Sequence, residues 1–578
     1  MALINCPYCG NRISSLVSLC VYCGCEVVDE NDSATYEIRN NTLIKYRGNR
    51  ETISIPGGVE MIARGAFDEA PNVKKVIIDN EIRSINNYAF MGCTSLETVV
   101  IGDAVTQIGM KAFSGCSSLK EINLPSSLTS LSDRCFEDCS SLDHIVIPDS
   151  LESIGSGAFA NCTSLKEITL TGSVNLLCYE AFSGCSALEN VNWGENLTTI
   201  GARVFANCSS LTEITLPDSL ESVNTEMFTG CENLKTVTLG SQTNSIGLLA
   251  FNGCTSLKEI VLPECTTSIG ARAFEGCSSL HRIELNEGLR EISSEAFKNC
   301  IGLEYIKIPR SLRTFGCEVF VGCDNLKSID ICDVKRWCLV DFKHSKMNPD
   351  PYDKHLSMDG EIIKELVIPE DVPYIHGEAF SNCVDITNVY INEGVSTIGA
   401  RAFYNCNKLL TITLPKSLGI IEKTAFSNCS SLKRVKIPNQ VSSISSEAFK
   451  NCVNLESVKI GSGVRAIEAL TFEGCSALEY VYLGKSVTSL GKGAFLGCSS
   501  LKTLVVGKDL SSVSAGAFEG CESLESIFFE STLDELPRML IGENPEIDLA
   551  IIYHYSEDPS PFEHNAWHYN EDGEIEIW

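Results

Sequence analysis

The residues best suited to chemistry stand at the start of the chain. Cys6-Pro7-Tyr8-Cys9-Gly10 and Cys20-Val21-Tyr22-Cys23-Gly24 form two Cys-x-x-Cys-Gly knuckles separated by ten residues. The glycine after each pair permits a sharp turn that aims backbone amides at thiolates. Four thiolates at this spacing suit one tetrahedral zinc ion, and a closed four-sulfur shell leaves no position for a substrate. The expected chemistry is structural; iron in the same shell stays open. A redox reading lacks the βαβ context that would support it. Cys25 is a fifth sulfur outside the set. So short a segment cannot fold on its own core, so the metal is expected to hold residues 1–28 together as a ribbon, with 29–35 as a linker.

Elsewhere the chemistry thins out. The chain has no phosphate-binding glycine loop, no His-Glu-x-x-His and no nucleophile elbow. His564 and His568 are spaced four apart, but they lie in a Pro-rich aromatic segment and lack a third ligand. An enzyme is not expected.

The elements that carry the rest of the chain follow a 23-residue clock. Eighteen cysteines keep it, from Cys93 to Cys323 and again from Cys383 to Cys521, each with a phenylalanine three residues before it. Phe67 with Ala70 is one earlier beat. A fixed period of this length predicts a solenoid, because one unit cannot bury its own apolar face and must stack on the next. In the unit from Leu96 to Ser118, the apolar Val99 and Ile101 hold the fourth and sixth places, the alternate spacing of a half-buried strand. Pro or Gly then turns the chain, as at Pro125 and Gly240. A helical turn is expected around Ala-Phe-x-x-Cys. The ladder cysteines read as small packing groups, since side chains stacked in parallel make poor disulfide geometry. The clock breaks between Cys323 and Cys383, which are 60 positions apart. Within the break, Asp359-Gly360 between Leu356-Ser357-Met358 and Glu361-Ile362-Ile363 reads as a tight hairpin, and the whole insertion reads as a splice.

The pattern Leu-x-x-Ile-x-Leu-Pro-x-x-Leu-x-x-Ile-x-x-x-Ala-Phe-x-x-Cys resembles the BspA-like leucine-rich-repeat family, from about Tyr36 to Trp578. Tyr36-Glu37-Ile38 with Leu43-Ile44-Lys45-Tyr46 looks like its opening hairpin. Trp567-His568-Tyr569 looks like part of its closing segment. The resemblance implies an α/β repeat solenoid: a horseshoe with a parallel concave sheet and short helical turns on the convex side, used to bind proteins or glycans. The array is expected to run over 36–331 and 363–530, interrupted by the insertion at 332–362 and closed by a cap at 531–578.

A formal net charge of −30 would repel nucleic acid and anionic membranes. No stretch approaches the uninterrupted apolar run of a membrane span, and no basic-then-apolar leader is seen, so a cytoplasmic protein with reduced thiols is expected. The partner is expected to be a protein or a glycan; oligomeric state is left open. An exported surface adhesin and a nucleic-acid-associated recruitment factor are the alternatives. In each strand the third and fifth residues should face outward. Tyr305, Lys307, Tyr390, Arg434, Lys436, Lys459, Tyr480 and Tyr482 are the outward residues chosen as partner-binding, because Tyr and Arg are enriched at interface hot spots.

Overall fold

A computed structural model of the chain describes residues 3–5, 12–14, 35–68, 70–343, 355–530, 550–557, 565–570 and 575–577. Cys6, Cys9, Cys20, Cys23 and His564 lie outside the described residues, as does most of the expected linker. The chain divides into two compact units. The first holds Met1–Gly288, Glu295–Leu303 and Gly322–Asn325; the second holds Leu289–Ser294, Glu304–Val321 and Leu326–Trp578.

The repeat stacks as the 23-residue period requires, but with two strands per rung rather than one. Strand Glu213–Thr215 pairs in parallel with Thr236–Thr238, Ile214 opposite Val237. A second strand of only two residues, Ser222–Val223, pairs with Ser245–Ile246. Because every rung has the same length, registers do not slip, and one face of the longer strands stays apolar along the whole ladder. Ile214 is buried between exposed Glu213 and Thr215. The second strand escaped the sequence reading because two residues are too few to show alternation.

The expected helical turns are corrected. Among the described residues the only helix is α1 (Val334–Cys338), inside the insertion. In the Ala-Phe-x-x-Cys segment alternate amides bond to the following rung: Tyr88 N–H to Met110 O at 2.9 Å, Phe90 N–H to Ala112 O at 2.7 Å and Gly92 N–H to Ser114 O at 2.8 Å. An amide spent on a neighbouring rung cannot close an i→i−4 bond. Two of these three residues are left-handed, Tyr88 at φ 63° and Gly92 at φ 73°, and such residues interrupt any helix. The fold is therefore a parallel β-solenoid with almost no helix.

Phenylalanine rings form the spine. In the first unit Phe67 to Phe297 stack in sequence, with centroids 4.2 to 5.8 Å apart and planes within 16°. Tyr46, from the antiparallel hairpin Tyr36–Arg39 and Thr42–Tyr46, heads that stack 5.5 Å from Phe67. In the second unit Phe380 to Phe518 stack at 5.2 to 5.5 Å. Buried aromatic rings in such arrays dominate core energetics.

The ladder cysteines do more than fill space. Cys116 Sγ donates to Phe90 O at 3.2 Å, Cys208 to Phe182 O at 3.3 Å and Cys521 to Phe495 O at 3.2 Å. Seventeen of the 18 ladder thiols tie their rung in this way to the ring-bearing residue of the rung before, whereas Cys383, which restarts the clock, lies 3.9 Å from Ser381 O. Phe90 O already accepts the Cys93 amide at 3.1 Å, so the thiol meets the second lone pair. Ala70 fills the cysteine place at the first beat without a thiol, so the position asks for a small buried residue and the sulfur adds a bond to it. All 24 described cysteines are free thiols.

The insertion continues the second unit's sheet. Strand Leu356–Met358 pairs in parallel with Ser328–Ile331, Ile329 opposite Leu356, and turns back antiparallel onto Glu361–Ile362. Asp359 and Gly360, at φ 52° and 82°, make the tight turn. The Trp337 ring of α1 stands edge-on to Phe315 and Phe342, and its Nε1–H donates to Ala379 O at 2.7 Å. Trp337 thereby joins the break to the rung that restarts the clock. No helix among the described residues is long and apolar enough to cross a membrane.

Candidate functional site

The outward third- and fifth-place residues form rows at strand spacing, opposite the apolar face of the longer strands. Tyr305 and Lys307 lie on strand Tyr305–Ile308, opposite Ser328 and Asp330. Asp330 is only 2% exposed and accepts the Gly360 amide at 2.8 Å and the Ser357 hydroxyl at 3.4 Å. Burial and the Asp330 carboxylate push the Tyr305 hydroxyl up to about 12, so it stays protonated as a donor. The insertion's hairpin therefore borders this end of the face. Tyr390 is 42% exposed, between Val367 and Thr413 in register.

Three consecutive strands bring the other five residues together. Arg434–Lys436 pairs with Ser457–Lys459, Lys436 opposite Lys459. Ser457–Lys459 pairs with Tyr480–Tyr482, Lys459 opposite Tyr482. Lys459 Nζ sits 5.3 Å from the Tyr482 ring centroid, a cation–π placement. Arg434 lies 3.8 Å from Glu456. Tyr305, Lys307 and Tyr390 stand on other strands and do not join this group.

Tyr480 and Tyr482 differ from the sequence expectation of free outward side chains. Both are half-buried against a cluster of Val505, Phe528 and Trp567, together with Tyr553, Tyr555 and Tyr569. Tyr482 Oη donates to Glu530 at 3.4 Å, and Tyr569 Oη donates to the same carboxylate oxygen. Burial and the Glu530 charge raise both Tyr480 and Tyr482. The closing strands cause this. Ile551–Tyr555 continues the parallel sheet from Ser526–Phe529, and Ala566–Tyr569 pairs onward to an antiparallel end strand, Ile575–Ile577. At the fifth place, where Thr413, Lys436, Lys459 and Tyr482 precede them, Val505 and Phe528 are buried. An apolar residue at that place is not by itself the signal of a cover, since Val146, Val261 and Val367 hold it and stay exposed.

Burial disables the ladder thiols as nucleophiles or ligands. It pushes Cys185, Cys231 and Cys429 up to about 12, and a metal or an electrophile needs the thiolate. Among the described residues no group of three or more His, Cys, Asp or Glu is placed to hold a metal ion. His568 Nε2 lies 3.7 Å from Glu576.

A family model described as a BspA type leucine rich repeat region matches residues 37–151, 129–258, 244–337, 358–479 and 421–545. The chain belongs to the BspA-type leucine-rich-repeat family. Solved structures similar to this repeat chain include a leucine-rich repeat protein from Bacteroides ovatus ATCC 8483, at 21% identity over 86% of this chain and 97% of that one, TM-score 0.32. A leucine rich cell surface protein from Faecalibacterium prausnitzii A2-165 is 20% identical over 86% of this chain and 91% of its own, TM-score 0.23. The pneumococcal vaccine antigen PcpA is 17% identical over 88% and 91%, TM-score 0.31. At these TM-scores the family assignment rests on the repeat signature itself. No curated protein matches the chain.

Proposed function

We propose that this BspA-type protein is a non-enzymatic interaction scaffold that holds a protein partner on the outward rows of its longer strands. The observation that carries this reading is the in-register array of exposed side chains, Tyr390 and Lys436 among them, on a core whose reactive groups are buried and neutral. Rigid rows at strand spacing suit recognition of an extended surface. Free thiols suit a reducing compartment, and a cytoplasmic site is part of the proposal. Protease shaving of intact cells should leave the protein whole; complete digestion would place it at the surface.

The test is affinity capture from the source cell with wild-type protein and with Tyr305→Gln plus Tyr390→Glu. Both rings are exposed, and glutamine keeps a donor for the buried Asp330, so the variant should melt as wild type does while losing the partner. An unchanged set of captured proteins would contradict the assignment of the face. Loss of a glycan, with every protein retained, would favour a glycan partner.

A structural zinc module at the amino terminus completes the proposal. Strands Leu3–Asn5 and Arg12–Ser14 pair antiparallel with Asn5 opposite Arg12, so they bracket the first knuckle in the sequence. Purified protein should contain about one equivalent of zinc, and Cys9→Ser should contain none. Zinc undiminished in Cys9→Ser, or iron in its place, would overturn the assignment.

A further inference from the structure

We propose that Lys436 and Lys459 are the anchor for a short acidic segment of the protein partner, an inference that rests on the outward rows being the binding face. The two lysines stand directly opposite each other on adjacent parallel strands, both exposed. Strands lie about 4.8 Å apart, and like charges directly opposite destabilise a sheet. Among the described residues no ion pair is recorded for either ammonium. Lysines that lead into neighbouring strands are neutralised: Lys433 by Glu456 at 3.7 Å and Lys502 by Glu479 at 3.3 Å.

Carboxylates abound on a chain of net charge −30, yet none stands beside the pair in this stretch of the row. Its members run Thr413, Lys436, Lys459, Tyr482, so the lysine pair presents concentrated positive charge where an incoming anion can neutralise it. Lys459 is steadied over the Tyr482 ring. That ring is fixed in turn by Glu530 through its hydroxyl. A carboxylate bridging both ammonium groups would relieve their repulsion and form charge-assisted hydrogen bonds. The partially open edge of the Tyr480 and Tyr482 rings offers an adjoining apolar step. The surrounding negative field repels long polyanions, so the anchor suits a short run of carboxylates rather than nucleic acid or a sulfated polysaccharide.

The probe is fluorescein-labelled octaglutamate, titrated by anisotropy against the full chain at low salt. Wild type should bind, with affinity falling as salt rises. Lys436→Glu with Lys459→Glu should lose at least about tenfold, while Lys492→Glu, at an exposed lysine beside the Ala494-Phe495 turn segment and off the outward rows, should bind as wild type. Lys436→Gln should melt no lower than wild type, because it removes a repulsion. Wild type that ignores the peptide, or a double variant that binds equally well, overturns the anchor. So does a sulfated oligosaccharide that binds through these lysines when octaglutamate does not. The tyrosine capture experiment reads the binding face separately: partner lost there with octaglutamate ignored here removes the anchor alone.

Discussion

Raising the pH from 9 toward 12 should unfold the repeat array in a cooperative step that carries the ladder thiols with it. Burial pushes Cys185, Cys231 and Cys429 up to about 12 from an ordinary 9.0. Their neighbours, Cys208 and Cys254 included, are raised in the same direction by burial and by the adjoining sulfurs. The folded state therefore holds these protons more tightly than the unfolded chain does. The stability they contribute is complete below the unfolded value and falls as pH climbs toward the folded one. One unit above 9, each such thiol costs about 1.4 kcal/mol. A handful is enough to cancel the roughly 5–15 kcal/mol that holds an ordinary domain together. Circular dichroism and ultraviolet thiolate absorbance should change in the same transition. Thiolate absorbance appearing near pH 9 for the whole ladder, with the fold intact, would show the sulfurs to be accessible.

Phe205→Ala should cost about 3–5 kcal/mol. The ring lies 5.8 Å from Phe182 on one side and 5.8 Å from Phe228 on the other, with Trp193 edge-on to it. No neighbour can move into the gap without leaving its own place in the stack. Because each rung contacts only adjacent rungs, the loss should also separate denaturant unfolding into two phases on either side of position 205. Cys208→Ala, three residues away, should cost about 1–2 kcal/mol, for one buried sulfur and its bond to Phe182 O. Equal costs for the two variants would mean that the rings are not the spine.

The strands, the ring stack and the apolar alternation were legible because each recurs at a fixed offset from Phe-x-x-Cys. What happens between those marks was less so. Every ladder cysteine is preceded by Gly, Asn or Asp, as at Gly92, Asp138 and Asn161, and these residues adopt the left-handed conformation, with φ of 73°, 61° and 59°. That is the residue set for which the conformation is cheap, so the signal against helix was present in plain view. Tyr88, Lys111 and Leu249 adopt it as well. Nothing in those residue types says so, because the requirement comes from the rung-to-rung amide ladder. The thiol donor was invisible for a related reason: a hydrogen bond from Cys116 to Phe90 O spans 26 residues, and only the stack brings them together.

The binding face was half legible. Periodicity alone placed Lys436 and Lys459 outward and side by side. It could not show that Trp567 and Tyr569, more than 80 positions after Tyr482, come back to cover Tyr480 and Tyr482. This has a practical consequence: alanine at those two tyrosines would disturb the closing strands as well as the surface.

The central claim is that partners bind the outward rows of the longer strands. Lysine acetylation footprinting of the full chain, free and bound to a captured partner, tests it most directly. Lys436 and Lys459 should be protected by the partner, while Lys450, on the turn side and paired with Glu473, should be acetylated equally in both states. Protection at Lys450 with Lys436 and Lys459 unchanged would contradict the account.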